Sequence, residues 1–204
     1  MSLFNKTTDM QRRTVFVLTA LGLLLATACT GSDYTPKPKG YMRIELPAKE
    51  YTLCDTAALP FRFERASQAV VELKKDEKRL KWVDIKYPDY AGYVFLSYLP
   101  LQTGKDLEGE IDTSYRLLSK HFDYSSGVDE RQYVNEETHV YATTYRLQGR
   151  NVASTYQFWA TDSIHHFLRG SLYIDCVPNN DSLAPVLDYL QADLDHLLET
   201  LTWR

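Results

Sequence analysis

The sequence predicts an α+β fold in which one antiparallel sheet is covered by helices on its faces. Residues 93–99 are apolar on both sides of a strand, which is typical of a central strand covered twice. Residues 183–201 place leucines at the period of an amphipathic helix, whose apolar stripe must pack on a sheet. The segments run in the order strands, helix, strand meander and helix, and this order predicts a sandwich with two helices.

Strand patterns occupy the first half of the predicted domain. Phe61 and Phe63, two residues apart, predict one face of a first strand. Residues 83–87 alternate between apolar and polar, and a Pro-Asp turn signal follows them, so we expect a hairpin into residues 93–99. The chain before Phe61 is interrupted by prolines and is predicted to be irregular.

A helix is predicted after Gly104, because apolar residues recur along one stripe. These residues are Leu107, Ile111, Leu118 and Phe122. Three strands are predicted next, at residues 140–147, 152–160 and 167–175. The turn between the first two contains Gly149, which suits a positive φ. Gly170 interrupts the third strand and indicates a close backbone approach or a bulge.

The last predicted element is the long amphipathic helix. Asn180, Asp181 and Ser182 precede its leucines and offer side chains for an N-cap. Pro185 falls within the first turn, where proline is tolerated. We therefore expect this helix to begin at the Asn-Asp-Ser sequence and to cover one face of the sheet.

The first 28 residues have the three parts of a secretory signal. A basic start precedes the apolar run from Val15 to Leu25, which is too short to cross a bilayer as a helix, and small residues follow. Ala26-Thr27-Ala28 fits an ordinary signal peptidase, whereas Cys29 fits a lipoprotein signal whose first mature thiol carries acyl chains such as palmitate. Because Cys29 has no other evident use, we interpret residues 1–28 as a lipoprotein signal peptide and Cys29 as the lipidation site.

The predicted mature chain consists of a tether and a domain. Residues 29–45 are small, polar and proline-bearing, which is typical of an extended linker, and Cys29 would anchor it stably if doubly acylated. Residues 46–204 are predicted to form a single globular α+β domain. The formal net charge of −4 argues against a nucleic-acid surface, so the expected partners are a membrane, through the lipid, and proteins.

Two further cysteines remain for the domain. In an oxidising compartment Cys54 and Cys176 are candidates for one disulfide, although both are equally compatible with free, buried thiols. No second close Cys or His completes a ligand set around them. The adjacent pair His165 and His166 would project to opposite faces of a strand, so no metal site is predicted.

No catalytic motif stands out. The chain lacks a G-x-S-x-G nucleophile turn and a glycine-rich phosphate loop, so we predict no catalytic residues and no cofactor. The abundant tyrosines are expected on the meander strands, where they stabilise the sheet. Any of them left exposed beside Trp159 or Arg169 would form a surface typical of protein binding.

Several motifs resemble those of the gliding motility lipoprotein GldD family, over nearly all of the mature chain. They are Cys29 followed by Pro36-Lys37-Pro38-Lys39-Gly40-Tyr41 with Arg43-Ile44, then Leu96-Ser97-Tyr98, Thr161-Asp162-Ser163 with His166-Phe167-Leu168-Arg169-Gly170, and Asp181-Ser182-Leu183-Ala184-Pro185-Val186. The strand and helix order also resembles the PsbP fold, whose members are mostly binding modules rather than enzymes.

The resemblance implies an envelope lipoprotein, membrane-anchored and facing the periplasm, that is required for gliding motility and linked to type IX secretion. It further implies a non-enzymatic accessory or assembly factor that binds other proteins of this machinery. The candidate partner-contact residues are Tyr41, Arg43, Tyr98, Trp159, His166 and Arg169. The alternative is an envelope hydrolase or a small-ligand-binding lipoprotein, which predicts that Asp162, His166 and Arg169 converge on one pocket.

Overall fold

An antiparallel sheet of seven strands forms the framework of the computed structural model, which describes Val15 and residues 44–74, 81–102 and 104–204. Residues from Ile44 onward belong to one compact unit. The predicted signal peptide apart from Val15, the lipidation site Cys29 and the candidate contacts Tyr41 and Arg43 lie outside the described residues.

The elements follow the predicted order of strands, helix, strand meander and helix, and a final two-residue strand is added after the second helix. The strands are β1 (Tyr51–Cys54), β2 (Phe61–Ala66), β3 (Val70–Leu73), β4 (Lys81–Tyr87), β5 (Gly92–Pro100), β6 (Gly127–Asn135), β7 (Val140–Gln148), β8 (Tyr156–Thr161), β9 (His166–Ile174) and β10 (Thr202–Trp203). The α-helices of the described part are α1 (Gly104–Ser119) and α2 (Asn180–Thr200). The large sheet has the order β3-β4-β5-β9-β8-β7-β6, and β1-β2-β10 form a small sheet.

One face of the large sheet carries the main core. Alternate residues of the central strands point into it, and Val94 pairs with Leu172 while Tyr98 pairs with Leu168. Helix α2 buries its leucines against this face, and Leu190 and Leu194 are fully buried. Phe61 and Phe63 of the small sheet close the same core, which confirms their prediction as one face of a strand.

Polar contacts fix the position of helix α2. Asp195 accepts hydrogen bonds from Tyr156 at 2.6 Å and from Arg146 at 2.5 Å, and so joins the helix to β7 and β8. Asp193 lies at the other side of the same helix and is 2% exposed. Lys49 forms an ion pair with its Oδ1 at 2.5 Å. A charge this deeply buried requires such a partner, because desolvation opposes it.

The opposite face of the sheet is covered only in part. Helix α1 packs against β8 and β9 there, and Leu118 joins a second, smaller cluster with Tyr145, Leu147 and Val152. Trp159 lies at the edge of this cluster. The prediction of an antiparallel sheet with a helix on each face is confirmed, and β5 is central as its two apolar sides predict.

Several local predictions need correction. Strands β1, β3, β6 and β10 were not predicted, and the strand expected from residue 152 begins only at Tyr156. The N-cap of α2 is Asn179, without a side-chain cap hydrogen bond, and the amide of Asn180 instead donates to the carbonyls of Gly149 and Val152. The positive φ expected at Gly149 is confirmed at 136°. No described helix is long and apolar enough to cross a membrane.

Candidate functional site

A cavity of about 210 Å³ lies between α1 and the half-covered face of the sheet. We call it the helix–sheet cavity. Its walls come from β4, β5, β9 and α1, and the lining residues are Trp82, Ser97, Leu99, Glu110, Thr113, Ser114, Leu117, Phe167 and Arg169. It therefore combines apolar walls with hydroxyl groups and one charge of each sign.

Arg169 is the cationic group of this cavity. The strand register places it between Ser97 on β5 and Trp159 on β8, at the centre of the face. Burial lowers the pKa of its guanidinium, and the charges of Tyr173 and Glu110 oppose this shift. Among the described residues, no hydrogen bond or ion pair engages the Arg169 side chain. The half-buried guanidinium therefore presents its N–H donors to the cavity rather than to another protein group of the described part.

Glu110 is the anionic group. It projects from α1 into the same cavity, and burial raises the pKa of its carboxyl, while Arg169 acts to lower it. The two groups affect each other's ionisation, yet they form no ion pair. The hydroxyls of Ser97 and Ser114, both on buried residues, stand on opposite walls. The cavity thus keeps its two charges apart.

A group of aromatic rings lies beside the cavity, and we call it the aromatic strip: Phe95 is exposed, while Tyr93 and Tyr173 are half-buried. Tyr93 and Phe95 stack at 6.2 Å between ring centroids, and Phe95 contacts Tyr173 at 5.7 Å. Phe95 is 41% exposed, although it lies on the central strand β5. Just past the end of α1, the ring of His121 contacts Tyr173 at 6.3 Å, whereas Phe95 stays open to solvent.

The turn between β8 and β9 is held by Asp162. Its Oδ1 accepts hydrogen bonds from the backbone N–H groups of Ile164, His165 and His166 at 3.0, 2.8 and 2.8 Å. Burial works against the charged form, but these hydrogen bonds and the charge of His166 outweigh it and lower the pKa of the carboxyl. These three hydrogen bonds give Asp162 a structural role, which is to hold the turn between β8 and β9 in place.

His166 and Tyr98 lie on the core side of the sheet. The Tyr98 hydroxyl and His166 Nδ1 are 2.9 Å apart, and the imidazole stacks on Trp203 at 5.0 Å with the planes 4° apart. Burial lowers the pKa of His166, aided by the charge of His165 and opposed by Asp162. Tyr98 was predicted as a candidate partner contact, but its side chain is only 4% exposed and packs in the main core.

The structure separates the residues of the alternative hydrolase prediction. His166 and Arg169 are three positions apart on one strand, and successive residues alternate between faces. His166 therefore meets Trp203 on the core side, whereas Arg169 lines the helix–sheet cavity on the other side. Asp162 and His166 are near each other, at 4.0 Å, but Arg169 does not join them. The predicted convergence on one pocket is wrong.

Of the two alternatives for Cys54 and Cys176, the structure shows free thiols and not a disulfide. Cys54 ends β1 opposite Phe63 and packs against the main core. Burial raises the pKa of its thiol, which the charge of Arg65 partly offsets. Cys176 lies after β9 on the surface, in a crevice with Pro178 and Leu183.

Trp159 is half-buried beside Phe167, with ring centroids 6.2 Å apart, and thus borders the cavity rather than standing free. Glu110, Trp82 and Ser97 were not predicted from the sequence as site residues. Trp82 and Ser97 alternate with core residues along β4 and β5, which places them on the half-covered face. No local pattern indicates that they share a cavity with Glu110 and Arg169. Within the described ranges, no group of three or more His, Cys, Asp or Glu side chains could hold a metal ion.

The fold and these surfaces define a class of protein: a compact α+β sandwich with a half-covered sheet face. Residues 31–203 match the family model of the gliding motility lipoprotein GldD, and the chain belongs to this family. Membership indicates a membrane-anchored lipoprotein of the cell envelope that serves gliding motility. The family predicted from the sequence motifs is therefore confirmed.

Comparisons with individual proteins add one structural likeness. No curated protein sequence matches the chain. Among solved structures, the chain is similar to the solution structure of cyanobacterial PsbP (CyanoP) from Synechocystis sp. PCC 6803, with a TM-score of 0.48 and 11% sequence identity. The match covers 78% of this chain and 95% of that one.

Proposed function

We propose that this gliding motility lipoprotein is a non-enzymatic accessory or assembly factor that is linked to type IX secretion. In this proposal Cys29 carries the lipid, residues 29–45 act as the tether, and the domain of residues 46–204 faces the periplasm. The domain binds another protein of the motility and secretion machinery. The family match over residues 31–203 is the observation that supports the role in motility.

The aromatic strip is the surface that best supports protein binding. Large aromatic side chains are enriched at the energetic centres of protein interfaces. Phe95 is 41% exposed at the middle of a central strand, where a side chain is ordinarily covered. Beside it, Lys86 pairs with Glu72 at 2.7 Å and Lys74 with Asp84 at 3.1 Å, which provides a polar rim.

Phe95→Ser tests this surface in the anchored, full-length protein. We expect normal abundance but loss of colony spreading and of type IX secretion in a gliding host, together with loss of proteins that crosslink to the wild type. Val134→Ser is the matched control, because Val134 is an apolar residue on the edge strand β6 that is 57% exposed. Full function of the Phe95 variant would exclude the aromatic strip as the binding surface.

A further inference from the structure

Two opposite charges face one small cavity without touching, and this arrangement calls for a ligand. Arg169 and Glu110 both line the helix–sheet cavity, and no ion pair joins them. A half-buried guanidinium is expected to find a carboxylate partner, because desolvation of an unpaired charge is unfavourable. Glu110 lines the same cavity and its charge acts on Arg169, but no ion pair joins the two groups.

The charges define which ligands are complementary. A simple anion would satisfy Arg169 but would meet repulsion from Glu110, and a simple cation would meet the reverse. A dipolar molecule places its carboxylate at Arg169 and its ammonium at Glu110, so both protein charges are paired at once. Hydroxyls of Ser97, Thr113 and Ser114 are available for the remaining hydrogen bonds, since none of them has a hydrogen-bond partner among the described residues.

The size and the walls define the rest of the molecule. The volume of about 210 Å³ is below the roughly 300–1,000 Å³ of pockets for drug-sized ligands, so it suits a small metabolite. Four apolar side chains complete the lining, namely those of Trp82, Leu99, Leu117 and Phe167. An aliphatic or aromatic side chain of the ligand would pack on them.

We propose that the helix–sheet cavity binds a zwitterionic α-amino acid with an apolar side chain, held by Arg169 at its carboxylate and by Glu110 at its ammonium group. This inference goes beyond the protein-binding role and does not depend on it, because it rests on the cavity and not on the aromatic strip. It also gives a reason for the unpaired state of the two charged groups.

The test is a titration of the purified full-length chain in detergent micelles, in which the indole N–H signal of Trp82 reports occupancy by NMR. Three probes separate the two charges: L-leucine, 4-methylpentanoate, which lacks the ammonium group, and 3-methylbutylamine, which lacks the carboxylate. We expect saturable binding of leucine at least about tenfold tighter than of either analogue, since each charge-assisted contact contributes on this scale.

Two variants assign the charges. Glu110→Gln should remove the preference for leucine over 4-methylpentanoate, because the ammonium group loses its partner. Arg169→Gln should remove the preference for leucine over 3-methylbutylamine. Thermal unfolding of each variant checks that the domain remains folded. If the two residues served stability alone, each variant would shift the unfolding temperature but would leave both binding preferences unchanged.

Three outcomes would overturn the inference. They are the lack of saturable leucine binding by the folded wild type, equal binding of all three probes, and an unchanged preference for the ammonium group in Glu110→Gln. None of these outcomes affects the test of Phe95, which measures motility and crosslinking and not the occupancy of the cavity.

Discussion

Replacing Gly170 by alanine should destabilise the domain strongly, because the position has no room for a side chain. Gly170 lies at the middle of β9, between Leu96 on β5 and Phe158 on β8. A Cβ there would lie 2.9 Å from Cδ1 of Phe158 and nearer still to Cε1 and Cζ of the same ring. Phe158 is 1% exposed and packs against Tyr156, so its ring has little space to move away.

The expected cost is about 3 kcal/mol, at the upper end of what overpacking a core produces. For a domain of this size, such a loss lowers the midpoint of thermal unfolding by roughly 6 to 12 °C. The assay is denaturant and thermal unfolding followed by circular dichroism. Gly109→Ala is the matched control: Gly109 lies on the exposed side of α1 with no atom near its added Cβ, so this change should stabilise the protein by about 0.5–1 kcal/mol.

A double-mutant cycle separates the steric clash from a general backbone effect. Phe158→Leu removes the part of the ring that the new methyl group meets, so Gly170→Ala should cost much less in that background. Equal costs of Gly170→Ala with Phe158 and with Leu at position 158 would refute the steric reasoning. The glycine would then act through strand conformation or the unfolded state instead.

Three further predictions concern the polar groups of the core and the thiols. Lys49→Met leaves the buried carboxylate of Asp193 without its cation and should cost about 2 kcal/mol or more in denaturant unfolding, whereas an unchanged midpoint would contradict the role of the ion pair. Burial lowers the pKa of His166 from its ordinary value of 6.5, so the folded protein binds fewer protons at this group than the unfolded chain does. The neutral imidazole therefore contributes its full stabilisation above about pH 6.5, and this stabilisation is lost as the pH falls through the pKa of the folded state. The loss of unfolding temperature between about pH 7 and pH 5 should therefore be smaller in His166→Gln, and an equal loss would exclude this group. Cys176 should react with maleimide well before Cys54, as seen by peptide mapping, because Cys176 is exposed and burial raises the pKa of the Cys54 thiol; a disulfide-linked peptide would contradict the free thiols.

The order of elements could be predicted from the sequence because it depends on local patterns. Residues 93–99 are apolar on both sides, and this pattern indicates the central strand β5, although the expected cover on its second face is only partial because Phe95 is 41% exposed. Strand β6 is polar on most positions and forms the edge of the large sheet, so its alternation is weak. Strand β10 has two residues and pairs with β2 from the far end of the chain, and no local pattern can predict such a pairing.

The candidate site was harder to predict than the fold. The separation of His166 from Arg169 follows from the period of two along a strand, so the sequence already contained that information. The cavity depends instead on how α1 lies over β9, which brings Glu110 close to Arg169 from a distant part of the chain. Packing of a helix across a sheet is a tertiary property, and neither residue type nor spacing specifies it.

The contact between Lys49 and helix α2 has a mechanical consequence for a protein held by a lipid. In the proposed anchored state, any traction from the membrane enters the domain along the chain that leads to β1. Lys49 precedes that strand, and its ammonium group binds both the carbonyl of Tyr189, at 2.7 Å, and the carboxylate of Asp193. Pulling on the tether would thus load the long helix first, before the four-residue ladder of β1 on β2 bears the force. In that state the Lys49 contacts would couple force on the tether directly to helix α2.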